Sequence, residues 1–220
     1  MNQPSILRNR VKAHLLANIK NGSLVHGKTI NLAKLARELK ISVTPIREAL
    51  SQLEQSRIVQ AIPNSCFVIP ELTLAEANDL YNTMAQLAVM ALEDTDFKKH
   101  TLEALEESLL QLQQAHTPVG RIQHRIQFHQ LLMQDNANKI LAALIADLEA
   151  RIFFYEQLYI SDASFYEQVD NQNESILKAI KENNQPTAAL ILKMNWLNVS
   201  EHIKTKLLRN EKIAFETIDP

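Results

Sequence analysis

The sequence predicts a mainly α-helical chain in two parts: three helices and a small β-hairpin over residues 1–70, then an antiparallel bundle of six to seven helices over residues 71–220. Apolar residues recur at helical spacing along most of the chain, and strand-like runs are confined to a short stretch around residue 60. Charge divides at the same place. Residues 1–70 hold ten Lys or Arg against three acids, or +7, which leaves −9 for the remainder of a chain whose net charge is −2. A basic part beside an acidic one suggests that the first meets a polyanion and the second does not.

In the first part, Ile6, Val11, Leu15, Leu16 and Ile19 mark a helix from about Ser5 to Asn21, which Asn21-Gly22 and Gly27 then break into a turn. Asn31 caps a second helix of about two turns, with Leu32, Leu35 and Ala36 on its apolar side, and Lys40 to Val43 form a short connection. Thr44-Pro45 opens a third helix, because the hydroxyl can accept an orphan amide bond and proline suits the first helical position. Ile46, Ala49, Leu50 and Leu53 form its buried stripe. Thr44, Arg47, Glu48, Ser51 and Gln55 are left facing outward. Two closely spaced helices, the second so decorated, fit a helix-turn-helix whose recognition helix lays its N-terminal side chains against base edges. Ile58–Ile62 and Cys66–Ile69 read as two strands about a Pro63-Asn64-Ser65 turn, which makes the hairpin a wing.

From Thr73 onward six helical stretches are predicted near 73–93, 100–116, 119–134, 137–159, 162–183 and 186–209. Thr73 and Glu76 form a capping box, Pro186 suits a first helical position, and Asp135-Asn136 and Asn183-Asn184-Gln185 are breaks.

Composition removes several function classes. With 46% of 220 residues hydrophobic, each part can bury a core. The only glycines are Gly22, Gly27 and Gly120, so the stretch from Lys28 to Val119 holds no glycine-rich phosphate loop, whose backbone needs residues without Cβ. The single cysteine, Cys66, allows neither an internal disulfide nor a thiolate zinc cage, and reads as a small packed wing residue. No apolar run resembles a signal peptide or a membrane span, so a reducing cytoplasm and no membrane partner are expected.

The run Leu35-Ala36-Arg37-Glu38-Leu39-Lys40-Ile41-Ser42-Val43-Thr44-Pro45-Ile46-Arg47-Glu48-Ala49-Leu50, with Leu53-Glu54 and the Pro63-Asn64 hairpin, resembles the DNA-binding domain of GntR-family regulators. The helices that follow resemble the effector-binding FCD domain of the FadR-type branch. The resemblance implies a transcription regulator rather than an enzyme, a homodimer on a two-fold double-stranded DNA operator, and control by a small-molecule effector. It also implies that Arg47 and Thr44 contact bases while Lys34 and Arg37 hold phosphates, with Ser42, Ser51, Arg57, Asn64 and Ser65 completing the DNA surface. Arg47 can grip guanine through two parallel hydrogen bonds, worth roughly 1–3 kcal/mol of discrimination. Three departures stand out: Val43 replaces the family's arginine, Arg57 its glycine, and Ser65-Cys66 its Arg-Gly pair. The operator sequence therefore does not transfer from relatives.

Many domains of this type are similar in a metal site of one aspartate and three histidines, whose positions fall here at Arg125, His129, about Asn173 and about Leu197. Only His129 survives, and one imidazole cannot hold zinc or nickel. No metal or other cofactor is expected, with His124 and His202 read as surface or packing residues. Arg125 and His129, at i and i+4, can share a cavity, where the guanidinium anchors a carboxylate or acyl effector through a bidentate pair. Alternatively Arg125 is exposed, or pairs with an acid on a neighbouring helix. The expected effector residues are Arg125, His129, Tyr155, Asn173 and Trp196, with Phe128, Phe153 and Tyr159 as further aromatic lining. A family arginine and glutamate are replaced by Met84 and Ala88, which makes the pocket more apolar. Two other functions stay open: a regulator fold that has lost effector sensing, and a helical metal-dependent enzyme, against which the missing ligands argue.

Overall fold

A computed structural model describes residues 3–20, 29–55, 57–62, 66–160 and 165–216, in two units, Met1–Glu71 and Leu72–Pro220. The chain is mostly helical. The first unit runs α1 (Gln3–Lys20), β1 (Thr29–Ile30), α2 (Leu32–Leu39), α3 (Val43–Gln55), β2 (Gln60–Ile62) and β3 (Cys66–Val68). Asn31 caps α2, its side-chain oxygen accepting the Lys34 amide at 2.9 Å. The turn into α3 is a Schellman motif: Lys40 has φ 55°, and the amides of Ile41 and Lys40 donate to Ala36 and Arg37 carbonyls at 3.1 and 3.3 Å.

α3 opens at Val43, so Thr44, expected from the sequence to cap it, and Pro45, expected as its first helical position, both sit inside its first turn, where proline's missing N–H breaks no helical bond. Its stripe of Ile46, Ala49, Leu50 and Leu53 is buried, and α3 packs against α1, whose Val11 and Leu15 are also buried. The helix closes on a second Schellman motif. Ile58 and Arg57 amides donate to Leu53 and Glu54 carbonyls at 3.0 and 2.8 Å, and Arg57 takes φ 53°. Arg57 thus occupies a left-handed position that glycine adopts without Cβ strain. Arg57→Gly is accordingly expected to stabilise the first unit by about 1 kcal/mol, read as a rise in denaturation midpoint. An unchanged or lower midpoint contradicts this.

The wing carries one strand more than the sequence predicts. β1, too short to show alternation, pairs antiparallel with β3 through Thr29↔Val68 and Ile30↔Phe67, and β3 pairs with β2 through Gln60↔Val68, Ala61↔Phe67 and Ile62↔Cys66. The sheet order is β1-β3-β2. Ile58 and Val59, predicted as strand, are buried ahead of the ladder. The Glu54 carboxylate accepts the Ala61 amide at 2.9 Å and ties β2 to α3. The predicted turns at 21–28 and 63–65, including Asn64 and Ser65, lie outside the described residues.

The second unit contains, among the described residues, six helices: α4 (Leu74–Glu93), α5 (Lys99–Gln113), α6 (Pro118–Met133), α7 (Lys139–Tyr159), α8 (Phe165–Lys181) and α9 (Gln185–Glu216). They pack as a closed ring in the order α4, α9, α8, α5, α6, α7, with α7 returning to α4. Thr73, Thr117 and Asn138 cap α4, α6 and α7 by accepting the amides of Glu76, Gly120 and Leu141 at 3.1, 3.1 and 3.0 Å. The predicted capping box is used by half, because the Glu76 carboxylate is drawn instead into an ion pair with Arg151 of α7. Asn183, at φ 54°, ends α8 in a further Schellman motif. No helix among the described residues is long and apolar enough to cross a membrane.

Candidate nucleic-acid interface and buried polar cluster

Because one face of α3 is committed to the core, the opposite one is free: Thr44, Arg47, Glu48, Ser51 and Gln55 are all exposed. Ser42, Lys34, Arg37 and Arg57 are exposed as well. On α2, Lys34 lies 3.8 Å from Glu38, whose carboxylate also meets the His14 ring at 2.6 Å. Hydrogen bonding from His14, assisted by the charge of Lys34, holds Glu38 below the usual carboxylate range. Arg37 donates to the Ala33 carbonyl at 3.3 Å. Val43 is 39% exposed at the head of the recognition helix, an apolar side chain beside polar ones. Cys66 is half-buried in β3.

The second unit buries polar groups at its centre. Arg125 of α6 is fully buried and directs Nη2 at both oxygens of Glu156 on α7. Tyr166 of α8 donates to the same carboxylate at 3.1 Å. The Arg125 guanidinium lies 5.1 Å from the Trp196 ring and 5.7 Å from Tyr166. His129, one turn beyond Arg125, donates Nε2–H to Asn173 at 3.3 Å and packs 4.7 Å from Trp196. Asn195 bridges the Val169 carbonyl and Asn173 at 3.0 and 3.3 Å. Burial opposes the Arg125 charge, but Glu156 more than offsets it and the guanidinium pKa rises. Burial, then the Glu156 charge, pushes the Tyr81 and Tyr166 hydroxyls up.

Of the five expected effector residues, Arg125, His129, Asn173 and Trp196 come together. Tyr155 is buried on α7 next to Glu156, with its ring against Phe154 and Arg151. Arg125 takes the alternative left open by its sequence, pairing with an acid on a neighbouring helix, so its charge is already met. Phe153 lines an outer groove instead, and His202 stacks on Phe165 at 3.9 Å. Glu156, Tyr166 and Asn195 were not foreseen. The available signal was an acid inside the apolar run Ile152-Phe153-Phe154-Tyr155-Glu156, where a solvated charge has no place.

These residues do not fit the metal of related domains. A guanidinium stands where a carboxylate ligand is needed, repelling a cation, and among the described residues no three His, Cys, Asp or Glu side chains converge. His129 is instead held neutral: burial, then the Arg125 charge, lowers its pKa to about 3. The unfolded chain, with an ordinary histidine pKa, binds that proton more readily, so His129 withdraws stability as pH falls from about 6.5 toward 3, by roughly 2 kcal/mol at pH 5. Glu149, raised by burial to about 7, acts oppositely between about 7 and 4.5. The His129 share is therefore expected as a smaller acid-induced loss in His129→Gln than in the wild type, measured by denaturation at pH 7 and 5. Equal losses contradict a buried neutral imidazole.

A winged helix with an exposed polar recognition helix, joined to an all-helical domain, defines a two-domain DNA-binding transcription regulator. The family model for "Bacterial regulatory proteins, gntR family" matches residues 7–69, and that for the FCD domain matches residues 79–196. The chain belongs to the GntR family, with an FCD effector domain. It is 26% identical over 192 residues to the uncharacterized HTH-type transcriptional regulator YdhC of Bacillus subtilis, covering 84% of this chain and 86% of that protein. It is 27% identical over 183 residues to the HTH-type transcriptional regulator McbR of Escherichia coli, covering 78% and 81%. Among solved structures, E. coli McbR/YncC superposes with a TM-score of 0.72 at 22% identity over 91% of this chain and 98% of that one. A putative GntR regulator from Rhodococcus sp. RHA1 gives 0.70 at 19% identity over 89% and 96%. Both carry the same fold. The two family models together make the chain a transcription regulator.

Proposed function

We propose that the protein is a cytoplasmic homodimer that binds a two-fold DNA operator through α3, and that a small carboxylate or acyl effector held in the helical domain modulates this binding. Arg47 and Thr44 would read bases, Val43 would meet a thymine methyl, and Ser42, Ser51, Lys34, Arg37, Arg57, Asn64 and Ser65 would position the backbone. The effector half rests on one observation. Nε and Nη1 of Arg125, Nδ2 of Asn173 and Nε1 of Trp196 are buried without hydrogen-bond partners. Unmet buried donors favour an acceptor-rich occupant, and Glu156 takes only Nη2, leaving Arg125 two nitrogens for a second carboxylate. Met84 and Ala88, buried on α4, suit an alkyl portion.

The test begins with operator selection by the purified protein at several salt concentrations, since phosphate contacts make affinity fall steeply with salt. Operator binding and the fluorescence of Trp196, the chain's single tryptophan, are then followed against a panel of short and medium-chain carboxylates. A responding carboxylate is expected to bind Asn173→Leu about tenfold more weakly, the loss of one charge-assisted hydrogen bond. If no carboxylate shifts operator affinity or Trp196 emission, the effector reading fails. The completed Arg125–Glu156 pair would then favour a second reading, in which the cluster is structural and effector sensing has been lost.

A further inference from the structure

Between α6 and α7, apart from the Arg125 cluster, lie two adjoining cavities of about 220 and 330 Å³ that share Gln130, Ala146 and Glu149. The larger reaches the size of small-molecule sites. Their walls are largely apolar, with Met133 and Ile145 at one end and Ile126 and Phe153 at the other. Glu149, at the shared centre, is only 4% exposed. Its Oε2 accepts from Gln130 Nε2 at 2.8 Å, while Oε1 is buried with no hydrogen-bond partner. A carboxylate oxygen left so is costly unless something brings it a donor.

The surrounding charges do not supply one. Arg125 of α6 favours the ionised carboxylate by its charge, but none of its nitrogens bonds Glu149: Nη2 takes Glu156, and Nε and Nη1 have no hydrogen-bond partner. Arg151, on α7 with Glu149, pairs with Glu76 of α4. Lys139 stands at the far end of the groove, 3.4 Å from the Asn136 carbonyl, and α4 contributes only Ala91 to the lining. Burial dominates and raises Glu149 to about 7, so at neutral pH the carboxyl is poised between its two forms.

We propose that this groove is a second ligand site that takes a small apolar organic cation, an alkylammonium, whose N–H donates to Glu149 Oε1 while its alkyl chain lies along the apolar walls. Charge complementarity selects this occupant, since among the described residues Glu149 is the acid that lines both cavities, set between hydrocarbon walls, and the one basic residue, Lys139, belongs to the smaller cavity alone. The site shares no residue with the proposed effector cluster, so Asn173→Leu leaves it unchanged and either proposal can fail alone.

Calorimetric titration of the full chain with hexylammonium chloride, at pH 6, 7 and 8 in buffers of different ionisation enthalpy, tests the assignment. Hexanol and hexanoate serve as controls. Hexylammonium is expected to bind best at pH 8, to release protons near pH 7, and to weaken toward tenfold per pH unit below that, because protonated Glu149 must ionise to pair. Glu149→Gln, nearly the same in shape, is expected to bind at least tenfold more weakly and without pH dependence. Equal binding of hexanol, equal binding by Glu149→Gln, or no proton release by the wild type each overturns the proposal. So does an absence of binding accompanied by a second copy covering the groove, seen as protection of Glu149 from carbodiimide labelling that is lost on dilution.

Discussion

Glu156→Ala is expected to destabilise the helical unit by about 3–5 kcal/mol, the penalty for leaving a guanidinium buried without its counter-charge. Arg125 has no exposed surface, and its pairing nitrogen faces Glu156 alone, so no rearrangement of a surface side chain can replace the lost carboxylate. The same change removes the acceptor of the Tyr166 hydroxyl. Because Trp196 is buried 5.1 Å from the guanidinium, its fluorescence during denaturation of the full chain reports on this unit. The double variant Arg125→Met with Glu156→Leu is expected to lose far less than Glu156→Ala, since an apolar pair of similar volume removes the charge with its partner. If the losses add instead, the pair is not energetically coupled, and the buried charge is being met by something else.

Arg47→Ala is expected to abolish much of the discrimination between operator and random duplex, by about 1–3 kcal/mol or roughly fivefold to more than a hundredfold, while changing bulk DNA affinity little. Its side chain is exposed on the polar face of α3, two turns from the buried Leu53 and one from Leu50, so the substitution leaves the core intact. Lys34→Ala is expected to weaken every sequence alike and to reduce the salt slope by about one. Competition binding at two salt concentrations separates the cases. Equal losses of preference in the two variants would remove the assignment of base reading to α3 and phosphate contact to α2.

The helices and their caps were legible because their signals are local. Asn31 and Thr73 each bond an amide three residues away, and the stripe of Ile46, Ala49, Leu50 and Leu53 repeats within two turns. The glycine-to-arginine departure at Arg57 was visible too, but its meaning needed the backbone: a positive φ inside a Schellman motif. β1 was not legible, since two residues cannot alternate and the partner strand lies nearly forty residues away.

By itself, then, the sequence determined a winged helix followed by a helical bundle, the family, and which side of the recognition helix avoids the core. Only the tertiary structure decided what Arg125 faces. Its partner Glu156 is 31 residues distant on another helix, and Tyr166, Asn173 and Trp196 arrive from two more. Periodicity reports that a position is buried, because burial repeats with the helical turn. Which buried charge meets which depends on how helices pack across the bundle, and that leaves no periodic trace in the chain.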